Sequence, residues 1–195
     1  SKRLAQQYGA PELAMQVKGL ELPAYDPRAF QGHGLGYATS NRGGCHLRAY
    51  MISPEVLDIP VKLDRLEIKE KPKWVKWYQD YYSVIDSLVV CKFLSFALMP
   101  EDMTTLLNAI TGWKWSADDF MKAGDRIYTL ERLFINREGF SRKDDTLPKR
   151  VLKEPMPEGP SKGQLSRLPE MLDEYYGLRG WKDGKPTNAK LKELG

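Results

Sequence analysis

Residues 73–85 place the tightest constraint on what this chain can become. Trp74, Trp77, Tyr78, Tyr81 and Ile85 recur at helical spacing, so this stretch predicts an amphipathic helix with one broad aromatic face. Such a face needs a core to receive it. At 42% hydrophobic residues, the chain can build one, and wholesale disorder is excluded.

Punctuation elsewhere also favours helices. Pro11 to Lys18 reads as the end of a helix stopped at Gly19, and Leu20 to Pro27 as a connector. Arg28 to Thr39 has helical character, but Gly32, Gly34 and Gly36 each cost about 1 kcal/mol there relative to Ala. Glycines on alternate positions call for close backbone packing or a nearby ligand. Pro60 to Pro72 reads as a charged surface segment with a short helix, and Val89 to Leu98 as a deeply buried run. Pro100 opens a helix that Gly112 closes. Ser116 and Asp119 form a capping box for a helix reaching about Glu138 and stopping at Gly139. Ser141 to Pro160, with four prolines, predicts an irregular excursion. Pro169 starts a fresh turn, and Pro186-Thr187 opens a last short helix ending near Leu194.

Charge excludes several classes of function. The formal charge is +4, from 30 basic and 26 acidic side chains mixed along the chain. That is too small and too evenly spread for a nucleic-acid or membrane-surface protein. No apolar run reaches the roughly 18 residues needed to cross a bilayer. The most hydrophobic stretch, Val84 to Met99, is interrupted by Asp86 and Lys92. Ser1-Lys2-Arg3-Leu4 leads into no apolar region, so no signal peptide is expected, and the missing initiating Met suggests a piece of a longer polypeptide. The two cysteines, Cys45 and Cys91, fit a reducing cytoplasm and are too few for the four ligands of a typical zinc or iron–sulfur site.

Two segments carry groups suited to chemistry. In Gly34 to His46, glycines let a backbone approach a bulky ligand while His46 exchanges protons near neutral pH. The same residues also suit a plain glycine-rich turn whose histidine bonds a carbonyl. In Asp86 to Cys91, the carboxylate needs donors, from protein or from a ligand with paired N–H groups. Cys91 reads first as an inert buried thiol, the common case, with a metal ligand as the alternative. On a regular helix Asp86 and Cys91 stand roughly 140° apart, so they serve one small site only if the helix breaks between them. Asp125-Arg126 and Glu131-Arg132 read as helix-surface ion pairs or a partly buried network, and Tyr81-Tyr82 and Tyr175-Tyr176 as packing.

Taken in order, several stretches resemble the aldehyde:ferredoxin oxidoreductase family. They are Val17 to Arg28, Leu35 to His46, Asp86 to Phe93, Leu107 to Gly112, Gly124 to Ile127, Glu131-Arg132, Asn136 to Gly139, Asp145 to Pro148, Tyr176 to Trp181 and Leu191 to Gly195. The resemblance implies an all-α, mainly helical C-terminal domain. Residues 1–27 would be the end of a preceding helical domain or a connector, and residues 28–195 the C-terminal domain. The N-terminal β-rich cofactor domain is absent from this sequence.

The resemblance also implies a tungsten bis-pterin cofactor of the molybdopterin type, a 4Fe-4S cluster, a small aldehyde substrate and ferredoxin as electron acceptor. It leaves room for a homo-oligomer. By the family's Asp-x-x-Gly-Leu-Cys motif, Asp86 would bond a pterin and Cys91 would ligate the cluster. Val89 and Val90 stand where that motif has Gly and Leu. His46 matches the family's active-site histidine, and Cys45 takes no cluster role and is expected to be buried. The family's other three cluster cysteines are not in this sequence. The competing expectation is a non-catalytic helical interaction module that holds no cofactor.

Overall fold

The computed structural model describes residues 1–195. The aromatic helix is its axis: α4 spans Lys71–Ser87. Around it lie α1 (Lys2–Gln7), α2 (Gln31–Thr39), α3 (Ile52–Val56), α5 (Pro100–Thr111), α6 (Ala117–Arg137), α7 (Lys149–Lys153), α8 (Leu168–Arg179) and α9 (Asn188–Leu194). The only sheets are two antiparallel two-stranded ribbons. One joins β1 (Gln16–Val17) to β2 (Leu20–Glu21), and the other joins β3 (Trp181–Lys182) to β4 (Lys185–Pro186). The mainly helical expectation is met.

Helix α4 packs most extensively on α6, then on α8 and α2. Val75, Tyr78, Tyr81, Tyr82 and Ile85 lie in the resulting core with Phe120, Tyr128 and Tyr175. The α4–α6 contact is intimate because of Gly124. A Cβ built there would stand 2.0 Å from the Asp80 carbonyl oxygen, so only glycine lets the two backbones come this close.

The alternate glycines of α2 are also explained by packing. Added Cβ atoms would meet Met51 at 2.8 Å from Gly32, Pro27 at 3.1 Å from Gly34 and Ala49 at 3.0 Å from Gly36. Neighbours thus close on α2 from both sides, and all nine of its residues are buried.

The capping signals hold. Met99 precedes Pro100, Gly112 ends α5 with φ +75°, Ser116 accepts from the Asp119 N–H, and Thr187 caps α9. Three expectations fail. Pro11 to Lys18 does not end a helix: a single 3-10 turn at Pro11–Leu13 leads into the β1–β2 hairpin, which turns at Lys18-Gly19, both at positive φ. Pro60 to Glu70 contains no helix, and α4 starts only at Lys71. Val89 to Leu98 is not deeply buried. Val89 is 90% exposed and Phe93 63%, because α4 ends at Ser87 and only Ser95 of the following 3-10 turn faces inward.

Candidate functional site

The local sequence makes α4 stop between the two residues of interest. The Val90 N–H donates to the Ile85 carbonyl at 3.4 Å, and the Val89 N–H to that of Asp86 at 3.2 Å. This bond pair is a Schellman closure with Val89 at the left-handed position, φ +58°. Glycine takes that conformation freely. A β-branched residue there bears about 1–2 kcal/mol of strain. The turn that a Gly-Leu pair would make is therefore kept with Val-Val, at a local cost.

Beyond the break, Cys91 begins a 3-10 turn over Lys92–Phe96. The inner side of that turn is pinned by Ser95, whose hydroxyl lies 3.2 Å from that of Tyr82, and by the Tyr81 hydroxyl donating to the Leu98 carbonyl at 2.6 Å. The outer side presents Val89, Phe93, Leu94 and the Cys91 thiol, which is free and exposed. Cys45, by contrast, is buried, and its Sγ accepts from Arg42 Nε at 3.2 Å and Nη2 at 2.9 Å.

Asp86 sits on the last turn of α4 with its side chain 38% exposed. Its Oδ2 accepts from Arg48 Nη1 at 3.0 Å, and its Oδ1 meets Lys92 Nζ at 2.6 Å. Arg48 also bonds Glu131 of α6 through Nη2. Arg48 closes the same short 3-10 turn that begins with His46. The ion pair therefore fixes the histidine's turn against the end of α4.

His46 is half-buried within an aromatic group. Its ring lies 5.6 Å from that of Tyr25 and 5.9 Å from that of Tyr50. Tyr50 is 6.0 Å from Phe96, which belongs to the turn begun by Cys91. Burial, followed by the Arg42 guanidinium, depresses the His46 imidazole below its ordinary value. Behind it, His33 is fully enclosed, with Tyr25 at 5.4 Å and Tyr37 at 4.8 Å, both edge-on. Neither His33 nitrogen has a hydrogen-bond partner. Burial, with a smaller contribution from His46, drives His33 down to about 3.

The three residues singled out in the sequence thus belong to one connected region, joined by the Arg48–Asp86 pair and the Tyr50–Phe96 contact. Sequence reasoning missed Arg48, Lys92 and His33 as members of this region, and saw Glu131 only as part of a helix-surface or partly buried charge network. Lys92 left a trace as one of two charges interrupting an apolar run.

A family model described as "Aldehyde ferredoxin oxidoreductase, domains 2 & 3" matches residues 1–195. The chain belongs to the aldehyde ferredoxin oxidoreductase family. The tungsten-containing aldehyde ferredoxin oxidoreductase of Pyrococcus furiosus is 55% identical over 198 residues, covering all of this chain and 33% of that protein. The enzyme of the same name from Thermococcus kodakarensis is 54% identical, with the same coverage. The chain therefore spans about a third of the length of these curated relatives. Among solved structures, the active-site complex BamBC of benzoyl coenzyme A reductase, bound to 1,5-dienoyl-CoA, superposes with a TM-score of 0.71 at 22% identity. It covers all of this chain and 35% of that one, and this likeness concerns the fold. No helix here is long and apolar enough to cross a membrane.

Proposed function

We propose that this chain is the C-terminal helical part of an enzyme that oxidises a small aldehyde to a carboxylic acid and passes the electrons to ferredoxin. The reaction consumes one aldehyde and one water and releases the acid, two protons and two electrons. A tungsten bis-pterin and a 4Fe-4S cluster, when bound, would supply the redox chemistry. The observation that carries the reading is the break of α4, which leaves a carboxylate and a free thiol on exposed positions of one short segment.

These residues suit those groups. An exposed thiol with no protein partner is available to cubane iron, whereas Cys45, buried against Arg42, is not. No group of three or more His, Cys, Asp or Glu side chains able to hold a metal occurs in the structure. Cys91 would therefore supply one ligand and other polypeptide the rest. Asp86, more than a third exposed, would accept from the adjacent amino and ring N–H groups of a pterin. His46, depressed mainly by burial, would be neutral at pH 7 and ready to accept a proton at its imidazole.

Residues 1–27 would lead in from a preceding domain, and residues 28–195 would form the cap over the cofactor. In support, α1 buries none of its residues, and the first helix of the core is α2. Two unpaired cysteines favour a reducing cytoplasm.

The test uses the full-length protein with both metals supplied during growth. Aldehyde-dependent reduction of ferredoxin is expected, together with bound tungsten. His46→Asn should lower turnover by about 10²–10⁴-fold with tungsten retained. Turnover unchanged in that variant would remove His46 from the reaction, and a full-length protein that binds no pterin would overturn the reading.

A further inference from the structure

The two cations on Asp86 come from opposite sides of the helix break. Arg48 reaches it from the His46 turn and Lys92 from the residue after Cys91. Both are far more buried than the carboxylate they hold: their side chains are 10% and 14% exposed. Lys92 is itself fixed, with Nζ 4.8 Å from the Tyr82 ring centroid and 3.4 Å from the Tyr82 carbonyl. Arg48 is shared with Glu131, so two cations and two carboxylates balance in charge.

Each oxygen of Asp86 receives one donor from the protein. A carboxylate offers about four acceptor positions over its two oxygens, so about two remain, one per oxygen. That is the complement of a ligand with two neighbouring N–H groups. The arrangement also borders open space. Asn41, Arg48, Leu130, Glu131 and Phe134 line a groove of about 380 Å³. Two buried polar atoms of that lining, Arg48 Nε and Asn41 Oδ1, have no partner.

We propose that Arg48 and Lys92 are positioning residues for the cofactor face: together they fix the Asp86 carboxylate across the helix break, and Lys92 ties it to the chain at Cys91. A partly exposed carboxylate on the last turn of a helix would otherwise sample several rotamers. Held at both oxygens, it presents its unused acceptor sites in one orientation. This proposal rests on Asp86 being the pterin anchor.

The test compares Asp86→Asn, Arg48→Met, Arg48→Lys and Lys92→Met in the full-length enzyme. Pterin released by acid, tungsten and iron are measured per polypeptide, together with the thermal midpoint. Asp86→Asn should lose pterin. Lys92→Met and Arg48→Met should each lower pterin affinity by about 10-fold, as removal of outer partners of a bound group does. Arg48→Lys should restore part of the loss, and in Lys92→Met iron content and thermal midpoint should stay at wild-type values. Lys92→Met, which removes the other of the two cations on Asp86, keeps the test sound if Arg48→Met fails to fold. Full pterin in Asp86→Asn would sink the anchor reading itself. Loss of pterin in Asp86→Asn with wild-type pterin in Lys92→Met would overturn the positioning proposal alone. A Lys92→Met protein that loses iron, pterin and thermal stability together would also overturn it, in favour of a purely structural role.

Discussion

Two arginines in this molecule face opposite situations. Arg179, on α8, is completely enclosed and spends every donor. It bonds Asp80, Asp125 at 3.2 Å, Gln79 at 2.7 Å, the Lys76 carbonyl at 3.3 Å and the Tyr175 hydroxyl at 3.2 Å, and it stacks 4.3 Å from the Tyr128 ring centroid. Arg48 is nearly as buried, yet its Nε is unpaired and its carboxylate partners stand partly in solvent. A saturated network has no capacity left for a ligand, and its role is to lock α4, α6 and α8 together. An unsaturated one beside an open groove keeps capacity to receive something. The difference separates structural charge from charge available for function, although the two clusters share the same residue types.

The comparison breaks most decisively at Arg179. Arg179→Met leaves Asp80 and Asp125 buried without their main cation, and should cost about 3–5 kcal/mol of unfolding free energy. Denaturant titration measures this, and a loss of under 1 kcal/mol would show the network to be as dispensable as a surface pair. Gly124→Ala attacks the same interface by sterics. Its Cβ would fall 2.0 Å from a backbone oxygen that cannot step aside alone, so a cost of about 2–3 kcal/mol is expected from overpacking. Neither change should alter the thiol reactivity of Cys91 in the folded protein, which alkylation at low denaturant would report.

A third prediction concerns pH. His33 is held near 3 in the folded chain, against 6.5 as its ordinary value. Below pH 6.5 the unfolded chain binds a proton that the folded chain refuses, so stability is full above that value and falls as the solution is acidified. The slope approaches about 1.4 kcal/mol per pH unit below pH 6.5 and ends only where His33 titrates in the folded chain, at about 3. His33→Phe should remove that slope, and an unchanged slope would assign it elsewhere. The smallest effect belongs to the exposed side. Val89→Gly relieves a left-handed β-branched residue that is 90% exposed. It should stabilise the fold by about 1 kcal/mol and leave cofactor content alone. Destabilisation there would mean that the Val89 side chain makes a contact worth more than the strain.

Much of the helical frame was legible because its signals are local. The aromatic period of α4, Pro100 with Gly112, the Ser116 capping box and Thr187 each act within a few residues. The β1–β2 hairpin was not legible, since nothing in Gln16 to Glu21 announces strand pairing beyond a turn. The exposure of Val89 to Leu98 was misread for a sharper reason: composition says apolar, but burial is decided by where α4 stops. Asp86 and Lys92, seen in the sequence as interruptions of that run, are bonded to each other at 2.6 Å. Arg48 joins them from 38 residues away. Arg179 was equally invisible, because a saturated arginine is made by partners distant in sequence, here drawn from α4, α6 and α8.

The central claim is that Cys91 offers its thiolate to a cluster completed by other polypeptide. Iron content and the electron paramagnetic signal of the reduced full-length enzyme, wild type against Cys91→Ser, address it directly. The expected result is a lost or altered cubane signal and a fall in iron per polypeptide in the variant. A wild-type signal with full iron in Cys91→Ser would contradict the account.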